Sequence, residues 1–421
     1  MSVALPYSMD YTQQHLSLPE NITSTNVTLN PVNGATFSPS SVIIFDFLNR
    51  GFIDPQTIYL RYKWAVSIAT AGAEMIGTPV YTPFVRLETL IGSTVVESQN
   101  QYNQNCHLLV NLTTDVSSKY GMQNAYGYTG NTGVTSLADM DGRTMISNET
   151  GSFSGLLPGL LSNCEKMIPA FAMSQIRVQL TMDSLANMFA VLPTPITPTN
   201  FVLSNVELCY TMVDAGPAVE NMVRSLGTFY IKSQSIANSS VSLANSTTGS
   251  ISLVYNQRLA SVKSAYVLFT GTSTASLNKW ADFYDPTSSN GELNINVGGI
   301  QYPQRPLSTL NNKNGILQVL RNATGSIYDK SNTLSINAFE WNRQGNDTTT
   351  TKEPAKFIFG INLEKVHTPA LLTGISTQNS AITVQLSTSS ATLQTHTVNL
   401  LLAFDALIEI DTNTRMVSVK Q

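Results

Sequence analysis

Thirty residues near the N-terminus, Phe37 to Val66 (FSPSSVIIFDFLNRGFIDPQTIYLRYKWAV), constrain the fold of this chain more than any other stretch. They read as two β-strands of a packed sheet, joined by a turn at Asn49-Arg50-Gly51. In the second strand Ile58, Leu60, Tyr62, Trp64 and Val66 point one way, and Tyr59, Arg61, Lys63 and Ala65 the other. A period of two over nine residues is the mark of a sheet with one face in a core, and a helix cannot satisfy it.

The same alternation continues to the C-terminus. Ile176, Val178, Leu180 and Met182 alternate with Arg177, Gln179 and Thr181, and Val202, Val206, Leu208 and Tyr210 with Leu203, Asn205, Glu207 and Cys209. Pro193, Pro195 and Pro198 between these two runs forbid a strand interior and mark a loop. Later come Phe357, Phe359, Ile361 and Leu363, then Ile382, Val384 and Leu386, and finally Val398 through Ile410. Asp285 to Gly299 is rich in Gly and Asn and predicts a hairpin around Asn290-Gly291.

At Asp214 the period changes. Val219, Met222, Val223 and Leu226 recur at helical spacing, with Pro217 in the first turn and Gly227 at the end. The helix lies almost at the midpoint of 421 residues and reads as a linker between two strand-rich halves. Leu310, Ile316, Leu317 and Leu320 predict a second helix. Many antiparallel strands, long irregular connections and few helices imply an all-β chain of two jelly-roll sandwiches in tandem with short linker helices, not βαβ units. The expected division is an arm over 1–30, a first jelly roll over 31–212, a linker helix over 213–227, a second jelly roll over 228–412 and a tail over 413–421. No repeat is visible between the halves.

Only 12% of residues are charged, about half the usual share, so the polar surface must be Ser, Thr, Asn and Gln. Such a surface solubilises a monomer poorly and suits burial against other subunits; a secreted lectin-like or adhesive β-protein has the same composition. The net charge is −4, and no Lys or Arg precedes Arg50, so an N-terminal arm has nothing with which to neutralise phosphates. Cys106, Cys164 and Cys209 are odd in number and lack a CxxC pair, which speaks for core thiols over a disulfide framework. The first residues show neither a basic nor an apolar signal-peptide region, and no apolar run approaches the ~18 residues of a membrane span. Glycosylation triplets at Asn21, Asn26, Asn111, Asn148 and Asn322 are the expected by-product of an Asn/Ser/Thr-rich chain.

Several blocks resemble a known family. FDFLNRGFIDPQTIYLRYK, LLPGLLSNCEKMIPAFAMSQIRVQLTM and VLSNVELCYTMVD in the first half, with VGGIQYPQRPLS and LLLAFDALIEIDTNTRMVSV in the second, are similar to blocks of double jelly-roll major capsid proteins. These belong to the tectivirus–adenovirus lineage, and the likeness is greatest to virophages and polinton-like viruses. The resemblance implies two jelly rolls side by side in one subunit. It implies three subunits in a pseudo-hexagonal capsomer that tiles an icosahedral shell, with penton or minor capsid proteins as further partners. The location implied is the virion, after synthesis in the host cytoplasm without a signal peptide. There is little room for tall insertions on the outer face.

Residues that could carry chemistry have blander readings. His15, His107, His367 and His396 are scattered, and His107 beside Cys106 lacks partners at metal-ligand spacing. Asp282 and Asp285 could pair for glycoside hydrolysis, but they precede Pro286 and read as a polar turn. Asp405, Glu409 and Asp411 share the face opposite Phe404, Ile408 and Ile410; a calcium site is conceivable there, a solvated or intersubunit face the simpler reading. Gly155 and Gly159 lack the Lys-Ser/Thr of a phosphate loop. Phe45, Tyr62 and Trp64 read as core, with a sugar-stacking platform as the alternative. The chain is therefore expected to be a structural subunit and no enzyme, with no catalytic residue, metal or cofactor and no sequence-specific nucleic-acid binding. A secreted or surface carbohydrate-binding or adhesive β-sandwich protein stands as the alternative.

Overall fold

The computed structural model describes residues 22–68, 73–128, 142–145, 148–190, 198–243, 249–271, 279–287, 290–325, 336, 341, 355–366, 372–389 and 396–421. The first half contains β1 (Thr23–Leu29), β2 (Val42–Asp46), β3 (Tyr59–Ser67), β4 (Phe84–Ile91), β5 (Thr94–Asn100), β6 (Thr150–Leu156), β7 (Ile176–Met182) and β8 (Asn200–Asp214). They form two antiparallel sheets, ordered β1-β8-β3-β6 and β2-β7-β4-β5. Short strands at Thr36–Phe37, Phe52–Ile53 and Ile168–Pro169 extend the first sheet.

The second half repeats this wiring. Its strands are β9 (Thr228–Leu243), β10 (Gly249–Tyr255), β11 (Val262–Gly271), β12 (Gly291–Val297), β13 (Ile300–Ser308), β14 (Ile358–Asn362), β15 (Ile382–Thr388) and β16 (His396–Asp411). The sheets are β9-β16-β11-β14 and β10-β15-β12-β13. Adding eight to every label of the first half yields the second. In both, the first strand pairs with the last and the second with the seventh, which is the nested wiring of a jelly roll. The repeat lies in topology, and no visible sequence repeat accompanies it.

Alternation identified the buried faces correctly. Ile58, Leu60, Tyr62, Trp64 and Val66 are all at most 2% exposed, and Ile176, Val178, Leu180 and Met182 at most 1%. It did not identify sheet membership. The two strands of the Phe37–Val66 stretch, expected in one sheet, are β2 and β3 in opposite sheets. The connection crosses the sandwich through Gly51 (φ 61°), the short strand at Phe52–Ile53 and a single 3₁₀ turn at Pro55–Thr57. Asp54 caps that turn by accepting from the Gln56 N–H at 3.1 Å. In β8 the phase slips: Asn205 sits at φ 46° in a bulge, where the register with β3 shifts between Ser204 and Glu207. Leu203, not Val202, therefore joins Val206 and Leu208 in the core.

Three further expectations change. Within the span 1–30 expected to be an arm, Thr23–Leu29 is a sheet strand paired along its whole length with β8. Residues 413–421, expected as a tail, include β17 (Met416–Lys420), which pairs with β16. The hairpin expected at Asn290-Gly291 turns instead at Gly298-Gly299 (φ 61° and 87°), where two successive left-handed residues suit the tight turn between β12 and β13. The loop expected at Pro193 and Pro195 lies outside the described residues, as do His15 and His367.

Among the described residues the three helices of ten residues or more are α1 (Tyr102–Thr113), α2 (Gly216–Ser225) and α3 (Lys313–Thr324), with shorter ones at Val116–Gly121, Gln123–Tyr126 and Leu185–Met188. The linker helix expected after Asp214 is α2, ended by Gly227 at φ 71°. Its apolar face is not in a core; Met222 and Leu226 are 61% and 58% exposed. The second expected helix is α3, which buries Ile316 and Leu320, whereas Leu310 lies before it and is exposed. Gly360 of β14 lets α3 approach, because a Cβ there would stand 2.6 Å from Leu320. This helix covers the second face of β14, which is why Ile358 and Gly360 are buried as well as Phe359 and Ile361.

Candidate functional site

The densest buried polar constellation lies at the joint between the two jelly rolls. Glu97 on β5 is 4% exposed. Its carboxylate accepts from Thr89 Oγ1 at 3.1 Å, Gln99 Nε2 at 2.8 Å, the Leu160 N–H at 2.9 Å and, across the joint, Ser235 Oγ on β9 at 2.5 Å. A buried carboxylate is tolerable only when its oxygens are filled in this way. Around it the 157–165 connection lines the outer edge of β9. Glu165 N–H donates to Lys232 O at 3.0 Å, Asn163 Nδ2 to Gln234 O at 3.1 Å, and Ser233 Oγ to Leu160 O. Residues 231–233 and 235–236 of β9 are consequently buried on both faces.

A second charged group adjoins this joint. Lys232 Nζ lies 3.4 Å from Glu165 Oε1 and 3.8 Å from Asp405 Oδ1. Asp405 is fully buried and also accepts from Ser261 Oγ at 2.8 Å and the Thr373 N–H at 3.2 Å. The solvated or intersubunit face expected for Asp405, Glu409 and Asp411 is thus corrected for Asp405. Glu409 and Asp411 do face outward. Lys420, 3.0 Å away, holds the Glu409 carboxyl below its usual range, and Thr414 and Asn413 do the same for Asp411.

At the other end of the joint α1 is buried all round from Tyr102 to Leu112. His107 Nδ1 meets Thr78 Oγ1 at 3.0 Å and Nε2 meets Asn111 Nδ2 at 3.2 Å, while its ring packs against Trp280 and Phe283 of the second half. Gln104 Nε2 donates to Trp280 O, and Trp280 Nε1 to Asn187 O. Both nitrogens of His107 are occupied by packing partners, so it is no half of a metal site with Cys106. Burial pushes the Cys106 thiol far up and the Cys164 thiol up to about 12. Among the described residues no group of three or more His, Cys, Asp and Glu is placed to hold a metal. Asp285 accepts from the Thr287 N–H and hydroxyl, the polar turn expected of it, although the turn is buried. Asp282 accepts from Tyr284 OH at 3.3 Å. Asn111 is fully buried, which removes it as a glycosylation acceptor in the folded chain.

Sequence reasoning missed Glu97, Ser235 and Lys232. A lone Glu in TVVESQN and a Lys in YIKSQS read as solvent-facing strand residues, and no short-range signal distinguishes them.

Among the described residues, open clefts on the first jelly roll include a pair. One of about 480 Å³ is mainly apolar, lined by Ile58, Tyr81, Leu109, Tyr126, Leu156 and Pro158. The other, of about 520 Å³, lies on the outer face of β3 beside Arg61, Lys63 and Glu207. Neither assembles a nucleophile with a base. Phe45, Tyr62 and Trp64 are core residues at most 2% exposed, so they form no sugar-stacking platform.

No family model and no curated protein matches the chain. Solved structures do match in fold. The PBCV-1 protein VP54, fitted into a cryo-EM reconstruction of the virophage Sputnik, aligns with a TM-score of 0.60 at 10% identity, over 95% of this chain and 97% of that one. The Faustovirus major capsid protein aligns at 0.60 and 8% identity, over 96% and 94%. The mavirus major capsid protein aligns at 0.54 and 10% identity, over 100% and 95%. At such identities the likeness is one of fold: the whole double sandwich, in the same order, is shared.

Proposed function

We propose that this chain is a viral major capsid protein whose copies associate as trimeric, pseudo-hexagonal capsomers and tile an icosahedral shell. The observation that carries the reading is the end-to-end match of both jelly rolls to the major capsid proteins of Faustovirus and mavirus. The joint built on Glu97 supports it, because a shell tile must hold its two sandwiches as one rigid unit. The low charge supports it as well, since lateral contacts between tiles then desolvate few ions. In this reading the chain is a structural subunit of the virion made in the host cytoplasm. Its partners are its own copies and penton or minor capsid proteins, and the N-terminal 49 residues, which lack Lys and Arg, do not condense the genome.

Light scattering on the purified chain tests the reading: the expected species is three times 45.7 kDa, with larger shells visible by electron microscopy under assembly conditions. A monomer that persists at high concentration and retains glycans on an array would overturn it in favour of the adhesive alternative.

A further inference from the structure

Beyond the capsomer reading and independent of it, we propose that Lys232 and Asp405 join covalently. The Lys232 amine condenses with the Asp405 carboxyl, and the resulting isopeptide bond staples the first strand of the second jelly roll, β9, to its last, β16.

The two side chains meet because those strands are neighbours. Lys232 pairs with Leu407 and Gln234 with Asp405, so the two residues lie diagonally across one ladder, on the same face. Both are buried, and Lys232 Nζ lies 3.8 Å from Asp405 Oδ1. That separation is beyond hydrogen-bond length, and among the described residues Oδ1 accepts no hydrogen bond. An ion pair buried at this distance leaves much of its desolvation cost uncompensated. Transfer of a proton from the amine to the carboxyl, followed by loss of water, replaces two buried charges with one neutral amide.

The groups around the pair suit that condensation. Asp405 Oδ2 accepts from Ser261 Oγ at 2.8 Å and from the Thr373 N–H at 3.2 Å. The Ser261 hydroxyl is aimed in turn by the Gly374 N–H, which donates to its oxygen at 2.9 Å. These two donors stand where negative charge gathers on Oδ2 as Nζ attacks Cγ. Glu165 Oε1 is 3.4 Å from Nζ and its side chain reaches solvent, which makes it the base that relieves the amine of a proton. The flexible lysine stem closes the remaining distance. The Nζ–Cγ bond forms, the Cγ–Oδ1 bond breaks, and Oδ1 leaves as water carrying two protons from the amine. No oxidant, metal or second substrate is consumed. In the product Oδ2 keeps both donors as an amide oxygen, and β9, which carries the joint to the first jelly roll, can no longer part from β16.

The test weighs the full folded chain after denaturation. The wild type is expected to be lighter by one water than its sequence requires, and Lys232→Arg, which keeps the charge but not the amine, to have its full mass. Trypsin cannot cut after an acylated lysine, so the wild type should release residues 225–258 joined to residues 366–415. Asp405→Asn should reach the same joined peptides by losing ammonia instead of water, which no ion pair can do. Glu165→Gln, at an exposed position, should lower the joined fraction in freshly made protein at least about tenfold. A wild-type chain of full mass, cut after Lys232 into 225–232 and 233–258, overturns the proposal without need of any variant and leaves the capsomer reading intact.

Discussion

Ser235 on the first strand of the second jelly roll donates to Glu97 on the fifth strand of the first at 2.5 Å, and each residue is 4% exposed. One buried carboxylate therefore gathers donors from both halves, and the halves cannot rotate against each other without stripping it. The helix between them, α2, buries none of its residues and cannot set their angle.

Glu97→Ala leaves buried donors on Thr89, Gln99, Leu160 and Ser235 without their acceptor. The expected loss is roughly 2–4 kcal/mol, with Ser235→Ala costing about 1 kcal/mol. Urea unfolding followed by fluorescence should also lose its single transition as the halves uncouple. A midpoint and slope equal to wild type would show that the joint is held elsewhere.

Trp64 lies in the sandwich core between Phe153 and Phe201, while Arg61 on the opposite face pairs with Glu207 in solvent. Trp64→Ala should cost about 3–5 kcal/mol, and Arg61→Ala less than about 1 kcal/mol. Equal, small effects in chemical denaturation would contradict the assigned strand face.

Asn205 holds the β8 bulge at φ 46°. Asn205→Gly should change stability little, whereas Asn205→Val should lose about 1–2 kcal/mol, because a β-branched residue resists the left-handed region. Thermal unfolding of the pair decides the matter; a neutral valine would mean that the bulge relaxes.

The last strand, β17, should be acid-sensitive. The Glu409 and Asp411 carboxyls are held below their usual range, Glu409 first by Lys420 and Asp411 first by the Thr414 hydroxyl. A depressed folded pKa contributes stability above the unfolded carboxylate pKa of about 4 and loses it as pH falls through the folded value. Protection factors of residues 416–420, referred to the intrinsic exchange rate at each pH, should fall on acidification below pH ~4 before those of the core of β16 do. Uniform protection down to global unfolding would count against it.

The three cysteines should be silent. All are buried and free, with burial raising the Cys106 and Cys164 thiols. A thiol reagent at pH ~8 should label none in the native protein and all three in denaturant; rapid native labelling would place a thiol at the surface.

Local sequence determined the buried faces. Period-two alternation at Ile58–Val66, Ile176–Met182 and Ile382–Leu386 follows from backbone geometry alone, and Pro217 with Gly227 bounded a helix by conformational preference. Tertiary structure decided everything that depends on which strand lies beside which. Alternation is the same whichever sheet a strand joins, so nothing in Phe37–Val66 shows that β2 and β3 part company. A bulge is invisible until a partner's register exposes it, as at Asn205. Burial of Asp405, Lys232 and Glu97 depends on neighbours up to 144 residues away (Lys232 to Glu165, Asp405 to Ser261, Glu97 to Ser235), and a polar side chain is stable inside only because those distant donors and charges arrive. The wiring repeated in both halves is likewise a matter of which strand lies beside which, and side chains of quite different identity but like polarity and size can fill it.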